Sequence, residues 1–240
     1  MSDLSQVTAV ILAGGLGTRL REVVPDRPKV MAEINGIPFL YYLLDQLVDA
    51  SIEKIVISTG YMGHLIEETL GSGYKGLQIE YSKEDYPLGT AGALKLSGQF
   101  VETNQCLVMN GDSYTEFDPY SLFMFHKQKN ANMTLLVKNV DNASRFGTTE
   151  MNEENEIVQF NEKDYTRDNG IINAGVYIME TSVFKEIPSK IPCSLEYDFF
   201  PSMIGQGIYG YKTEGRFIDI GTPESYVKAE KFFECKPVSA

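Results

Sequence analysis

The first apolar stretch of the chain, residues 7–13, runs directly into Gly14-Gly15-Leu16-Gly17-Thr18-Arg19-Leu20. Glycines placed right after a buried strand let the backbone approach an anion closely, and their N–H groups can form a cradle for it. Arg19 closes the loop, and Pro28-Lys29 follow ten residues later. Backbone donors with two nearby cations suit phosphate chemistry. The loop is not a Walker A motif, because no Gly-Lys-Ser/Thr follows at the required spacing, and it lacks the third glycine of the dinucleotide fingerprint. A second candidate is Asn110-Gly111-Asp112, which ends another apolar run. A carboxylate at the C-terminal end of a parallel strand lies at the crevice where α/β sheets bind ligands. Two histidines, His64 and His126, are too few for a His-based metal site. The cysteines Cys106, Cys193 and Cys235 form no CxxC pair. Any metal should therefore be held by carboxylates.

These groups need elements to position them. Residues 7–13, short and β-branched, read as a buried strand. Residues 38–50 carry apolar positions at helical spacing, with Pro38 in the first turn. Strands are predicted at 53–59, 77–81 and 106–110, and helices at 62–70, 90–98 and 118–129. Gly71 suits a left-handed helix cap. This alternation is the rhythm of a parallel α/β sheet. After Met133 strands dominate, at 133–140, 156–161 and 171–179, with helices expected at 181–187 and 195–204.

Composition narrows the function classes. The 240 residues contain 21 basic and 33 acidic side chains, a net charge of −12. That disfavours a nucleic-acid partner, whose footprint is usually basic, but a local cluster of cations can still receive a small anion. No apolar run approaches the ~20 residues that span a bilayer, and no leader-like segment opens the chain. The expectation is a cytoplasmic protein with no membrane partner and one domain over 1–240.

The motif LAGGLGTRL with Pro28-Lys29 downstream resembles the signature of the sugar-phosphate nucleotidylyltransferases, or sugar nucleotide pyrophosphorylases. The resemblance extends from about Val7 to Tyr226. It implies an α/β fold of the GT-A-like nucleotidyltransferase kind, with a Rossmann-like, mostly parallel but mixed sheet flanked by helices. Residues 7–130 would bind the nucleotide and residues 131–226 the sugar phosphate. The departures from the family pattern, Val30 after the Lys and Glu22-Val23-Val24 after the loop, touch no charged contact and point to a subgroup.

Carried over residue by residue, the resemblance gives Arg19 the β and γ phosphates, Lys29 the α phosphate, and Leu12, Ala13, Gly14, Gly15, Gly17 and Thr18 the wrap around the triphosphate. Pro87-Leu88-Gly89-Thr90 looks like the loop against the nucleobase. Gly89 would allow close approach of the base, Thr90 would cap the following helix, and Glu84 lies just upstream. Gly111 belongs with the nucleotide. Asp112 and Asp219 match the two magnesium ligands, and paired carboxylates with phosphate oxygens suit Mg²⁺. Asp112 joins Arg19 and Lys29 in the catalytic set. Glu162 and Lys163 resemble the Glu-Lys pair of the sugar-phosphate site. Asn173 and Gly175 resemble the sugar-facing strand, Gly147 sits in a segment expected against the acceptor, and Glu196 is either a sugar contact or a helix-capping acid.

The implied reaction is attack by a sugar 1-phosphate oxygen on the α phosphorus of a nucleoside triphosphate, releasing pyrophosphate. That nucleophile is ionised at neutral pH and needs no general base, so positioning and fixed positive charge suffice. Within the family the chain resembles the short guanylyltransferases that act on D-glycero-α-D-manno-heptose 1-phosphate, and next those that act on mannose 1-phosphate. The expected partners are the two small substrates, with a homo-oligomer left open. A catalytically silent subunit on the same fold would usually have lost one of Arg19, Lys29, Asp112, Lys163 or Asp219, and this chain keeps them.

Overall fold

The computed structural model describes residues 4–162 and 168–234. In chain order the elements are β1 (Thr8–Leu12), β2 (Glu33–Ile34), β3 (Ile37–Pro38), α1 (Phe39–Asp49), β4 (Lys54–Thr59), α2 (Gly63–Leu70), β5 (Gly73–Tyr74) and β6 (Leu77–Lys83). Then come α3 (Gly89–Ser97), β7 (Gln105–Asn110), β8 (Ser113–Thr115), α4 (Pro119–Gln128), β9 (Met133–Val140), β10 (Thr148–Met151) and β11 (Ile157–Asn161). The last are β12 (Gly170–Glu180), α5 (Phe200–Ser202), β13 (Ile208–Lys212), β14 (Phe217–Asp219) and α6 (Pro223–Phe233).

The main sheet follows the order β11-β10-β12-β7-β1-β4-β6-β5, with β9 paired to β12 and β13 to β9. Strands β7, β1, β4 and β6 are mutually parallel, and β12 pairs antiparallel with both β7 and β9, so the sheet is mixed as expected. Parallel strands lie buried on both faces and read as continuous apolar runs. On one face Ala9, Ile11, Ile55, Ile57, Leu107 and Met109 pack with Phe39, Leu43, Leu44 and Leu47 of α1. On the other Val10, Val56 and Val108 pack with Ala91 and Leu94 of α3 and with Phe199 and Phe200. Truncating one of these fully buried leucines, such as Leu43, to Ala would cost about 2–5 kcal/mol.

Leu12 aligns with Ser58 on one side and Asn110 on the other, and Ser58 with Ser82. The parallel strands therefore end in one row, and the segments carrying Gly14–Arg19, Gly60, Glu84 and Gly111-Asp112 all leave the sheet at that edge. A short second sheet completes the arrangement. In it β14 pairs antiparallel with β8, setting Asp219 opposite Ser113. Helix α6 fixes that ladder from behind. Its start is a capping box between Thr222 and Ser225 with Pro223 in the first turn. Its far end buries Phe233, which stacks on Tyr42 at 4.0 Å and meets Tyr114 edge-on at 5.0 Å.

Several local expectations are corrected. Residues 181–187 form a tight 3-10 turn, Thr181–Glu186, and 195–204 form a wide π-type turn, Leu195–Phe199, followed by the brief α5. Pro38 precedes α1 and Thr90 lies inside α3, whose N-terminus has no side-chain cap. The late elements β13, β14 and α6 were not among those expected.

Candidate active site

A cavity of about 440 Å³ opens where β7 ends, lined by Asn110, Asp112 and Ser113. Eight residues expected at the site line it: Arg19, Asp112, Gly147, Glu162, Asn173, Gly175, Glu196 and Asp219. Lys163 lies outside the described residues.

Two carboxylates separated by more than a hundred residues meet here because of the β8–β14 ladder. The Ile220 N–H donates to the Asp112 carbonyl at 2.9 Å, one residue beyond Asp219. Lys29 Nζ donates to Asp112 Oδ2 at 2.5 Å, from a 3-10 turn anchored by the buried Val30 and Met31. Gly111 makes that closure possible: a Cβ there would stand 2.7 Å from the Leu12 carbonyl and 2.9 Å from Val30 Cγ1. Its own N–H is taken by Leu12 O at 3.0 Å, so its contribution is to bring Lys29 and Asp112 together. Asp219 Oδ1 accepts from the Gly221 N–H at 3.0 Å, from Ser225 Oγ at 3.3 Å and from Arg145 Nη2 at 3.0 Å.

The pair suits a hard divalent ion. Asp112 Oδ1 has no hydrogen-bond partner among the described residues, and both carboxylates face a space that phosphate oxygens and water can share. No group of three or more metal-ligating side chains occurs among the described residues. Mg²⁺ commonly takes one or two carboxylates and completes its shell from substrate phosphates and water.

Beside the cavity lies the glycine loop. Gly17 has φ +60°, and a Cβ there would press on Lys29 Cβ at 3.2 Å, so this glycine lets the loop pass the lysine. Gly15 is exposed and a Cβ on it would meet no atom within 4 Å. The Leu12 carbonyl and the Ala13 N–H are used within the sheet, the latter donating to Ser58 O at 2.8 Å. Thr18 and Arg19 are exposed, and Arg19 Nη2 lies 3.4 Å from where a Gly221 side chain would begin.

Glu84 nests between two strand ends. A Cβ on Gly14 would stand 2.6 Å from Glu84 Oε1 and one on Gly60 2.5 Å, while Glu84 Oε2 accepts the Leu88 N–H at 3.1 Å. Burial raises its pKa above the ordinary 4.5, and the Leu88 N–H opposes that shift. Pro87 is exposed beside it. Gly89, at φ +78°, is pressed against Cys193, whose carbonyl would lie 2.4 Å from a Cβ and accepts the Ala91 N–H at 2.9 Å. That backbone contact by itself calls for a glycine here. Thr90 Oγ1 accepts the Leu195 N–H at 2.8 Å and donates to Glu196 Oε2 at 3.4 Å, tying the start of α3 to the 194–196 turn.

The nucleotidyl transferase family profile matches residues 8–236. The chain belongs to the nucleotidyl transferase family. It is 38% identical over 224 residues to the D-glycero-alpha-D-manno-heptose 1-phosphate guanylyltransferase of Aneurinibacillus thermoaerophilus, covering 93% of this chain and 96% of that one. It is 37% identical over 227 residues to the mannose-1-phosphate guanylyltransferase of Mycobacterium tuberculosis, covering 93% of this chain and spanning 63% of that relative's length. The crystal structure of HddC from Yersinia pseudotuberculosis superposes with a TM-score of 0.83 at 35% identity, covering 95% of this chain and 99% of that one. A second structure of that protein is complexed with GMP-PN. Nucleotidyl transferases of this family generally use a divalent metal. No helix among the described residues is long and apolar enough to cross a membrane.

The cavity wall formed by Asn173 and Gly175 is shaped by a break in β12. The register with β9 shifts between Asn173 and Tyr177, and Gly175, at φ +75°, faces Ser113 so closely that a Cβ would stand 2.3 Å from its Oγ. Asn173 Nδ2 donates to the buried Tyr177 hydroxyl at 2.8 Å, and its Oδ1 accepts the Gly175 N–H at 2.9 Å. Glu196 accepts from Ser194 Oγ at 3.1 Å and lines the cavity, whereas Asp198 takes the Ser194 N–H at 2.7 Å. Asn110, in the motif with Asp112, lines the cavity, whereas sequence reasoning missed Ser113 as lining and Arg145 as the partner of Asp219. A cation beside Phe146-Gly147 was the available signal for Arg145; nothing in the sequence marked Ser113.

Proposed function

We propose that this nucleotidyl transferase moves a guanylyl group from GTP to D-glycero-α-D-manno-heptose 1-phosphate, giving the GDP-sugar and pyrophosphate. The observation that carries this reading is one cavity shared by Arg19, Asp112 and Asp219 with Glu162, Asn173, Gly175 and Glu196. An oxygen of the sugar 1-phosphate attacks the α phosphorus, the bond to the β-phosphate oxygen breaks, and pyrophosphate leaves with that electron pair. Arg19 stabilises the leaving pyrophosphate, Lys29 the α phosphate and Lys163 the acceptor phosphate. Asp112 and Asp219 would hold Mg²⁺, which when bound neutralises phosphate charge. Removing one such preorganised contact typically costs ~100- to 1000-fold in rate.

Guanine offers donors at N1 and N2 and an acceptor at O6. Glu84 can take the donor edge and a backbone N–H of the 87–90 loop can serve O6. The heptose acceptor is supported by two relatives named as heptose 1-phosphate guanylyltransferases, at 38% and 33% identity. Mannose 1-phosphate is the second reading, favoured by the 37% identical relative. The free, buried thiols of Cys106 and Cys193 support a reducing compartment, hence the cytoplasm.

The test is pyrophosphate release from GTP, ATP, CTP, UTP and dTTP against a panel of sugar 1-phosphates. GTP with the heptose 1-phosphate should give the highest kcat/KM. Equal use of UTP or dTTP would overturn the guanine reading, and a clear preference for mannose 1-phosphate would move the assignment to the second reading.

A further inference from the structure

The charged residues that line the cavity are unbalanced. Among the described residues two are cations, Arg19 and Arg145, against the carboxylates of Asp112, Glu162, Glu196 and Asp219. A phosphate dianion entering such a space needs cations aimed at it. Arg19 is carried by the glycine loop, and Lys29 is engaged by Asp112.

Arg145 is differently placed. Its hydrogen bonds all run through Nη2, to Asp219 Oδ1 at 3.0 Å, Asp219 Oδ2 at 3.3 Å and Thr222 Oγ1 at 3.4 Å. Nε and Nη1 have no hydrogen-bond partner among the described residues, and the side chain is 38% exposed. The guanidinium carbon lies 5.7 Å from the centre of the Phe146 ring, and that ring is braced edge-on against Phe217 at 5.6 Å. With Nη2 fixed on Asp219, the Nε–H and Nη1–H donors are left on opposite edges of the guanidinium plane, and either can give a charge-assisted hydrogen bond to a phosphate oxygen, a placement a lysine ammonium does not reproduce.

We propose that Arg145 binds the phosphate of the acceptor sugar 1-phosphate while its remaining nitrogen holds Asp219, so that the acceptor and the second carboxylate are positioned by one side chain. This rests on the sugar 1-phosphate reading above. A purely structural role, locking Asp219 alone, would lower turnover without touching acceptor affinity.

Two measurements separate these roles. Steady-state kinetics of Arg145→Ala and Arg145→Lys should show the acceptor KM raised about 10- to 100-fold, the worth of a charged hydrogen bond, with the GTP KM within a few-fold of wild type. Lower turnover at an unchanged acceptor KM, in a variant that folds, would overturn the proposal. Independently, the Nε–Hε resonance of Arg145 in the wild-type protein, assigned by its loss in Arg145→Lys, should shift with heptose, mannose or glucose 1-phosphate and stay put with the free sugars. Movement with none of the three phosphates would overturn the proposal. If wild type transferred guanylyl to no sugar 1-phosphate while this resonance still moved, the functional reading would fall and phosphate binding by Arg145 would stand.

Discussion

Asp219 stands across from Ser113 in the short antiparallel ladder of β8 and β14, which brings its carboxylate to the same cavity as that of the neighbouring Asp112. The placement is backbone-determined: it needs the pairing of two three-residue strands, secured by the capping box and aromatic anchor of α6. A site so held can keep its geometry when a carboxylate oxygen is replaced by an amide nitrogen.

Activity is therefore expected to vanish with chelator and return with Mg²⁺. Asp112→Asn and Asp219→Asn should each lower kcat by ~100-fold or more. Circular dichroism should report folded protein in both. Full activity of either at saturating Mg²⁺ would remove the metal assignment.

The two cationic sites should separate kinetically. Arg19→Ala is expected to impair GTP use, and pyrophosphate use in the reverse direction. Lys163→Ala should raise the acceptor KM. Varying each substrate in turn distinguishes them, and an unchanged acceptor KM in Lys163→Ala would refute the division of the chain into two substrate halves.

Two glycines offer a contrast. Gly15 has open space around it, so Gly15→Ala should leave the melting temperature unchanged or slightly raised while raising the GTP KM, because only a bound phosphate would meet the methyl group. Gly89 has φ +78° and the Cys193 backbone at clash distance. Gly89→Ala should cost about 1–3 kcal/mol of stability or more, seen as a lower melting temperature without any ligand. A destabilised Gly15→Ala with normal GTP kinetics would argue against phosphate contact at that loop.

Glu84 links pH to base recognition. Its pKa is raised by burial, so the folded protein holds that proton more tightly than the unfolded chain. The associated stability is present below the unfolded value and is lost as pH rises through the folded one. Guanine needs the ionised form as acceptor, so GTP affinity should increase with pH through a titration above 4.5, the ordinary value. Glu84→Gln should flatten that profile and reduce the preference for GTP over ATP. An unchanged profile would place the guanine contact elsewhere.

The parallel half of the sheet and its glycine loop were legible in the amino-acid pattern. Buried parallel strands must be apolar over their whole length, and the glycine loop, Lys29 and Asp112 stand at or just beyond their ends, so local pattern and motif coincide there. The proximity of Asp219 to Asp112 depends on pairing between short strands distant in sequence, which leave no periodic signal. The bond between Arg145 and Asp219 depends on the loop between β9 and β10 meeting the start of α6. Gly89 and Gly175 were legible as glycines but not for their reasons, because the atoms that exclude a side chain, those of Cys193 and Ser113, come from elsewhere in the chain.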